Sequence, residues 1–70
     1  MIKANTFYRA KPKVKGIATP NGYLYVYSAT DNVTFGVTEE PKTELLTGNT
    51  FKLSLEEFLK IASDEVMREQ

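Results

Sequence analysis

The stretch "GYLYVYSA", residues 22–29, alternates tyrosine with aliphatic residues, and this alternation decides how the chain folds. Successive side chains of a β-strand point to opposite faces, so the tyrosines share one face while Leu24 and Val26 share the other. The three tyrosines are Tyr23, Tyr25 and Tyr27. We assign the aliphatic face to the core. The tyrosine face is then either a second buried layer beneath a helix or a surface used for binding.

A turn signal, "TPNG" at residues 19–22, stands directly before this strand. Proline in the second position sets φ for a type I turn, and the glycine can take the positive φ of a following bulge. The turn predicts a hairpin in which residues 13–19 pair with the tyrosine strand. This register places Ile17 opposite Tyr25 and Lys15 one pair further along, so the tyrosine face is predicted to be basic as well as aromatic.

Further short strands are predicted on both sides of this hairpin. Residues 2–11 are β-prone up to Pro12, which has no amide proton to give to a ladder. Residues 32–37 alternate apolar and polar side chains, and residues 44–53 offer two short strands around a "TGN" turn. The pattern therefore predicts about five strands with hairpin-length connections within residues 2–53.

The helix signal begins at Ser54, in the stretch "SLEEFLKIA". The Ser54 hydroxyl can accept a hydrogen bond from the amide of Glu57, and the Glu57 carboxylate can reach back to the amide of Ser54, which makes a capping box. Apolar residues then recur at intervals of three and four and form one stripe. The stripe consists of Leu55, Phe58, Leu59, Ala62 and Val66. We predict one C-terminal helix over about residues 54–68, packed on the sheet along this stripe.

Length and composition limit the class of protein. A chain of 70 residues is short, so residues 1–70 are predicted to form a single domain of the mostly β (α+β) class. Its architecture is a small antiparallel bent sheet or barrel with the helix packed on it. The chain has no cysteine and no histidine, which removes the thiol nucleophile, the commonest general base and the usual zinc ligands. We therefore predict no enzyme activity, no cofactor and no metal.

The net charge is zero, but the two halves of the chain differ in sign. Residues 1–30 hold five basic residues and no acid, which gives +5, whereas residues 31–70 hold nine acids and four bases, which gives −5. Either the halves attract each other in the fold, or they form separate basic and acidic surfaces. No apolar run has the length of a membrane span or of a signal peptide, so we expect a cytoplasmic protein without membrane contact.

The combination of aromatic and basic side chains on one face predicts a binding surface. The predicted contact residues are Tyr23, Tyr25, Tyr27, Ile17, Lys13, Lys15 and Arg9. Tyrosine and arginine are enriched at the centres of protein interfaces, so we predict a small protein-binding module. Its partner is another protein or a second copy of the chain. The alternative is single-stranded nucleic acid, because aromatic rings stack on bases while cationic groups hold phosphates.

Three segments, "NTFYRAK", "VTFGV" and "TFKLSLEEFLKIA", resemble a known class of small domains. They are similar to the SH3-like barrels encoded by phage and prophage open reading frames. Those domains open with a strand bearing an aromatic-basic pair, and they run from a strand directly into a short helix. The resemblance implies an SH3-like barrel and a small accessory or host-directed protein, such as a modulator or inhibitor of a host enzyme. It implies no catalytic residues.

Overall fold

The computed structural model describes residues 2–11, 22–42 and 50–67, which form five β-strands and one α-helix. The elements are β1 (Thr6–Ala10), β2 (Tyr23–Ala29), β3 (Asn32–Thr38), β4 (Thr50–Ser54), α1 (Leu55–Ile61) and β5 (Ala62–Val66). The strands form one antiparallel sheet in the order β4-β3-β2-β1-β5. The predicted fold class, mostly β with an antiparallel SH3-like sheet of about five strands and one helix, is confirmed.

The strand boundaries agree with the alternating sequence patterns. β3 covers the predicted segment 32–37, and β1 lies within the β-prone segment 2–11. Of the predicted segment 44–53, the described part forms β4, and residues 43–49 lie outside the described residues. The alternation in β3 determines the register of the strand, because one face is apolar and the other polar. A shift of the pairing by one residue would expose the whole set of apolar side chains.

One face of the sheet and the helix enclose the core. The core residues are Tyr8, Ala10, Leu24, Val26, Val33, Phe35, Phe58 and Ala62. Leu24 and Val26 are fully buried, which confirms that the aliphatic face is the core face. The ring centroid of Phe58 lies 5.0 Å from that of Phe35 and 6.1 Å from that of Tyr8. Phe58 therefore packs the helix against both β3 and β1.

The helix begins where the sequence predicts. Ser54 has extended backbone angles, φ −63° and ψ 157°, and its Oγ accepts a hydrogen bond from the amide of Glu57 at 3.2 Å. This bond satisfies one of the amides that the first turn of a helix leaves without an intrahelical partner. The Glu57 carboxylate contacts the Nζ of Lys60 at 3.4 Å, one turn further along the helix.

The predicted end of the helix near residue 68 is wrong, because α1 ends at Ile61. Ala62 has φ −103° and ψ 139°, and the chain continues as β5, which pairs with β1. Ser63 and Asp64 are weak helix formers, so little local propensity opposes this change of conformation. The backbone groups along one edge of β1 form hydrogen bonds with β5. The periodicity of the sequence could not reveal this pairing, because it depends on residues far apart in the chain.

The predicted stripe consequently divides between two elements. Phe58 is fully buried and Leu55 packs partly buried against the core, as predicted. Leu59 is 50% exposed, so its assignment to the packed face is wrong. Ala62 is buried in the core and Val66 is partly buried, but both belong to β5 and not to the helix.

The predicted pairing of residues 13–19 with the tyrosine strand is also wrong. Tyr25 lies between Phe7 of β1 and Gly36 of β3 in the strand register, so both edges of β2 are occupied at this residue. A strand offers hydrogen-bonding groups on two edges only. Strand β1 takes the edge of β2 that the predicted hairpin required, and residues 13–19 themselves lie outside the described residues.

Candidate interaction surface

The side of the sheet opposite the core carries the three tyrosines. Strand alternation adds Phe7 and Arg9 of β1 to this side, because Tyr8 and Ala10 of the same strand point into the core. We call the set Phe7, Arg9, Tyr23, Tyr25 and Tyr27 the tyrosine face. The helix packs on the opposite side of the sheet through Phe58, so the tyrosine face is not covered by the helix.

The rings of the tyrosine face brace one another. The ring centroids of Phe7 and Tyr25 are 4.7 Å apart with the planes tilted by 54°, and those of Tyr25 and Tyr27 are 5.0 Å apart at 82°. Tilted and edge-to-face pairs at these distances are favourable because the positive edge of one ring meets the negative face of the other. The three rings therefore form a connected aromatic row across β1 and β2.

Burial within this row is uneven. Tyr25 is only 8% exposed and Phe7 only 2%, whereas Tyr27 is half-buried. The hydroxyl of Tyr25 donates to the Oδ1 of Asn5 at 3.3 Å. Asn5 itself has a positive φ of 56°, a conformation that asparagine tolerates better than most residues. Tyr25 is thus chiefly a structural residue, and Tyr27 is the member of the row with a larger accessible area.

Arg9 and Tyr23 form the other part of the tyrosine face. The Arg9 Cζ lies 5.4 Å from the centroid of the Tyr23 ring, within the range of a cation–π interaction. Arg9 is exposed and Tyr23 is half-buried. The backbone at Arg9 is held from the other side, because the hydroxyl of Ser63 on β5 donates to the Arg9 carbonyl at 2.9 Å.

The structure brings together four of the seven predicted contact residues. Arg9, Tyr23, Tyr25 and Tyr27 all lie on one face, but the burial of Tyr25 leaves it little area for a partner. Lys13, Lys15 and Ile17 lie outside the described residues. The sequence prediction missed Phe7, although the alternation in "TFYRA" already puts Phe7 and Arg9 on one side of β1.

A second concave region lies beside the helix. A groove of about 310 Å³ is lined by Ile2, Ala29, Thr30, Leu55 and Leu59. Its size is near the lower limit of small-molecule pockets. The Thr30 hydroxyl is engaged locally, because it lies 3.4 Å from the carbonyl oxygen of Asn32, to which it donates. The other described lining residues have apolar side chains, so no second polar side chain among them could fix the orientation of a ligand.

Among residues 2–11, 22–42 and 50–67, no three acidic, cysteine or histidine side chains are grouped so that they could hold a metal ion. In the same part of the chain, no helix has the length and apolar character required to cross a membrane.

Comparison with known proteins does not assign the chain to a family. No family model, no curated protein and no solved structure matches it. A functional proposal must therefore start from the residues of the tyrosine face and their geometry.

Proposed function

We propose that this protein is a small, non-enzymatic protein-binding module, and that Arg9, Tyr23 and Tyr27 form the accessible part of its contact surface. The observation that carries the proposal is the cation–π contact between the exposed Arg9 guanidinium and the half-buried ring of Tyr23. Arginine and tyrosine are the residue types most enriched among the energetically dominant residues of protein interfaces.

The rigidity of the tyrosine face supports this proposal. Tyr27 is held against Tyr25, which in turn packs on Phe7 and donates a hydrogen bond to Asn5. Binding to a surface that is already ordered avoids much of the entropy cost of immobilising side chains. A tyrosine ring also offers a large contact area with few rotatable bonds. The Arg9–Tyr23 pair is ordered in the same way, by the stacking contact and by the Ser63 hydroxyl.

The ring geometry favours a protein over single-stranded nucleic acid. Base stacking requires an open aromatic face. One face of Tyr23 lies against Arg9, Tyr25 is nearly buried, and the planes of Tyr25 and Tyr27 are close to perpendicular. These rings do not form a series of parallel open platforms. Nucleic-acid binding therefore remains the second candidate, supported only by the basic residues.

The class of partner is proposed from the resemblance to phage-encoded SH3-like domains. A small SH3-like domain of the phage type would act on a host protein as a modulator or inhibitor, in the cytoplasm. Lys13, Lys15 and Ile17 lie outside the described residues and stay predicted contact residues. Self-association is the simplest form of the proposal, since a basic and an acidic half can pair between two copies.

Quantitative capture from a cell lysate tests the proposal. The test variant is the double substitution Tyr23→Ala/Tyr27→Ala, which leaves the buried Tyr25 in place. Leu59→Ala is the matched control, because it removes an exposed apolar side chain from the helix. We expect the wild type and the control to retain a common partner or to sediment as dimers, and the double variant to lose this association about tenfold or more. A folded double variant that keeps every partner would contradict the proposal.

The absence of catalysis is a separate part of the proposal. It follows from the lack of histidine and cysteine in the chain. Metal analysis of the purified protein tests one half of it, and a stoichiometric transition metal would overturn that half. A screen for hydrolysis of common ester, phosphate and peptide substrates tests the other half, with heat-denatured protein as the control.

A further inference from the structure

The four strands β1 to β4 contain two charged residues, and both are cations. These are Arg9 on β1 and Lys52 on β4, and no acid occurs in the four strand sequences. Phe51 and Leu53 pack against the core, so alternation along β4 directs Lys52 to the opposite side of the sheet. Arg9 reaches the same side, where its guanidinium lies over the Tyr23 ring. Both cations of these strands thus belong to the side that carries the tyrosine face.

The two cations are available for a partner. The carboxylates that form ion pairs within the described residues contact other lysines: Glu65 contacts Lys3, Glu40 contacts Lys42 and Glu57 contacts Lys60. Neither Arg9 nor Lys52 pairs with a carboxylate in this part of the chain. Arg9 is exposed, and the planar guanidinium of an arginine can bind a carboxylate through two hydrogen bonds.

The register of the sheet sets the spacing of the two cations. Arg9 pairs with Tyr23, which pairs with Thr38, whereas Lys52 pairs with Thr34. The cations are thus three strands apart across the sheet and four residues apart along it. With about 4.8 Å between strands and about 3.3 Å per residue, their separation is roughly 15 to 20 Å. An extended peptide covers this distance in about five or six residues.

We infer that the tyrosine face recognises an extended acidic segment of a partner protein. One carboxylate binds Arg9 and a second, about five or six residues away, binds Lys52. The side chains between them contact Tyr23 and Tyr27. The inference rests on the proposed protein-binding function, and it adds the chemistry of the partner. Charge complementarity at Arg9 and Lys52 favours an acidic segment over a basic or neutral one, and the acids of the sheet, Asp64 and Glu65, lie on β5.

Selection from a displayed library of random peptides tests this inference. Peptides of about twelve residues are long enough to reach both cations. We expect the wild-type protein to enrich sequences with two acidic positions about five or six residues apart and an apolar or aromatic residue between them. The selected peptides should bind Arg9→Gln/Lys52→Gln about tenfold more weakly or worse, since partly exposed charge pairs each contribute a few-fold. The control Lys60→Gln, which removes a helix cation paired with Glu57, should leave the affinity unchanged.

The outcomes separate this inference from the proposed function. Enrichment of peptides without an acidic excess overturns the acidic segment but leaves a protein-binding surface. If no peptide is enriched, both proposals fail at this surface. A single-stranded oligothymidine probe is measured in parallel at two salt concentrations. Salt-sensitive binding of this probe, without enrichment of any peptide, would identify phosphate and not carboxylate as the ligand of the two cations.

Discussion

The ring of Phe58 on the helix lies edge-on to the ring of Tyr8 on β1, with centroids 6.1 Å apart and an interplanar angle of 88°. Phe58 is also the one fully buried side chain of α1, and it reaches Phe35 on β3. The first prediction follows from this contact. Phe58→Ala should lower the free energy of unfolding by about 3 to 5 kcal/mol, because it leaves a cavity between the helix and two strands.

That loss is large for a protein of this size, whose total stability is expected to be roughly 4 to 10 kcal/mol. Urea denaturation followed by circular dichroism measures it. The neighbouring substitution Leu59→Ala is the control, since a half-exposed side chain should cost less than about 1 kcal/mol. Equal costs for the two substitutions would show that the helix docks on a different face.

The cap of α1 gives a second prediction. Ser54→Ala removes the Oγ that accepts from the Glu57 amide and should cost about 1 kcal/mol. Ser54→Asp keeps an acceptor at the same position and should retain most of the stability. Thermal melting of the two variants provides the comparison. A fall of the melting temperature by the same amount in both would mean that the side-chain acceptor does not stabilise the helix.

The sequence revealed the features of the fold that depend on neighbouring residues. Alternation identified β3 and the core face of β2, and the serine cap identified the first residue of α1. The end of the helix could not be found in this way. Ala62 and Val66 fit the helical period, yet their backbone pairs with β1, more than fifty positions earlier in the chain. The periodicity of a sequence indicates which side chains are buried. It does not indicate which strand has an edge of unpaired backbone groups.

The candidate site shows the same limit. Alternation correctly put Tyr23, Tyr25 and Tyr27 on one face, but it could not show which of the three side chains are exposed enough to contact a partner. Burial separates them, because Tyr25 packs on Phe7 and donates to Asn5. Phe7 and Asn5 come before β2 in the chain and lie beside it in the structure. The predicted hairpin had instead put residues 13–19 beside β2. The role of a ring on a sheet face depends on which strand lies beside it.

Tyr25 provides the third prediction. Tyr25→Phe removes only the hydroxyl that donates to Asn5 at 3.3 Å, so it should cost no more than about 1 kcal/mol. Tyr25→Ala also removes the ring that packs between Phe7 and Tyr27, and should cost about 3 kcal/mol or more. Chemical denaturation of both variants tests the difference. A stable Tyr25→Ala protein would return Tyr25 to the list of contact residues.

A fourth prediction concerns the conformation of β5. Ser63→Ala removes the hydroxyl that donates to the Arg9 carbonyl and should cost about 1 kcal/mol. In solution, Ala62–Val66 should have the chemical shifts of extended backbone, with cross-strand contacts between Tyr8 and Glu65. Nuclear magnetic resonance measures both. Helical shifts through Val66 would contradict the β5 assignment and restore the longer helix that the sequence pattern predicts.

The pair formed by Arg9 and Tyr23 gives the last prediction, which links stability to binding. A double-mutant cycle with Arg9→Gln and Tyr23→Leu should give a coupling energy in unfolding of about 0.5 to 1 kcal/mol, as expected for an exposed cation–π contact. The same cycle measured on the affinity for a selected peptide should give a larger coupling, because a guanidinium no longer held by the ring loses its orientation toward the carboxylate. Arg9→Lys keeps the charge but loses the planar two-hydrogen-bond geometry, so it should restore stability more fully than affinity. If Arg9→Lys restores affinity completely, Arg9 acts as a point charge and the stacked geometry has no part in recognition.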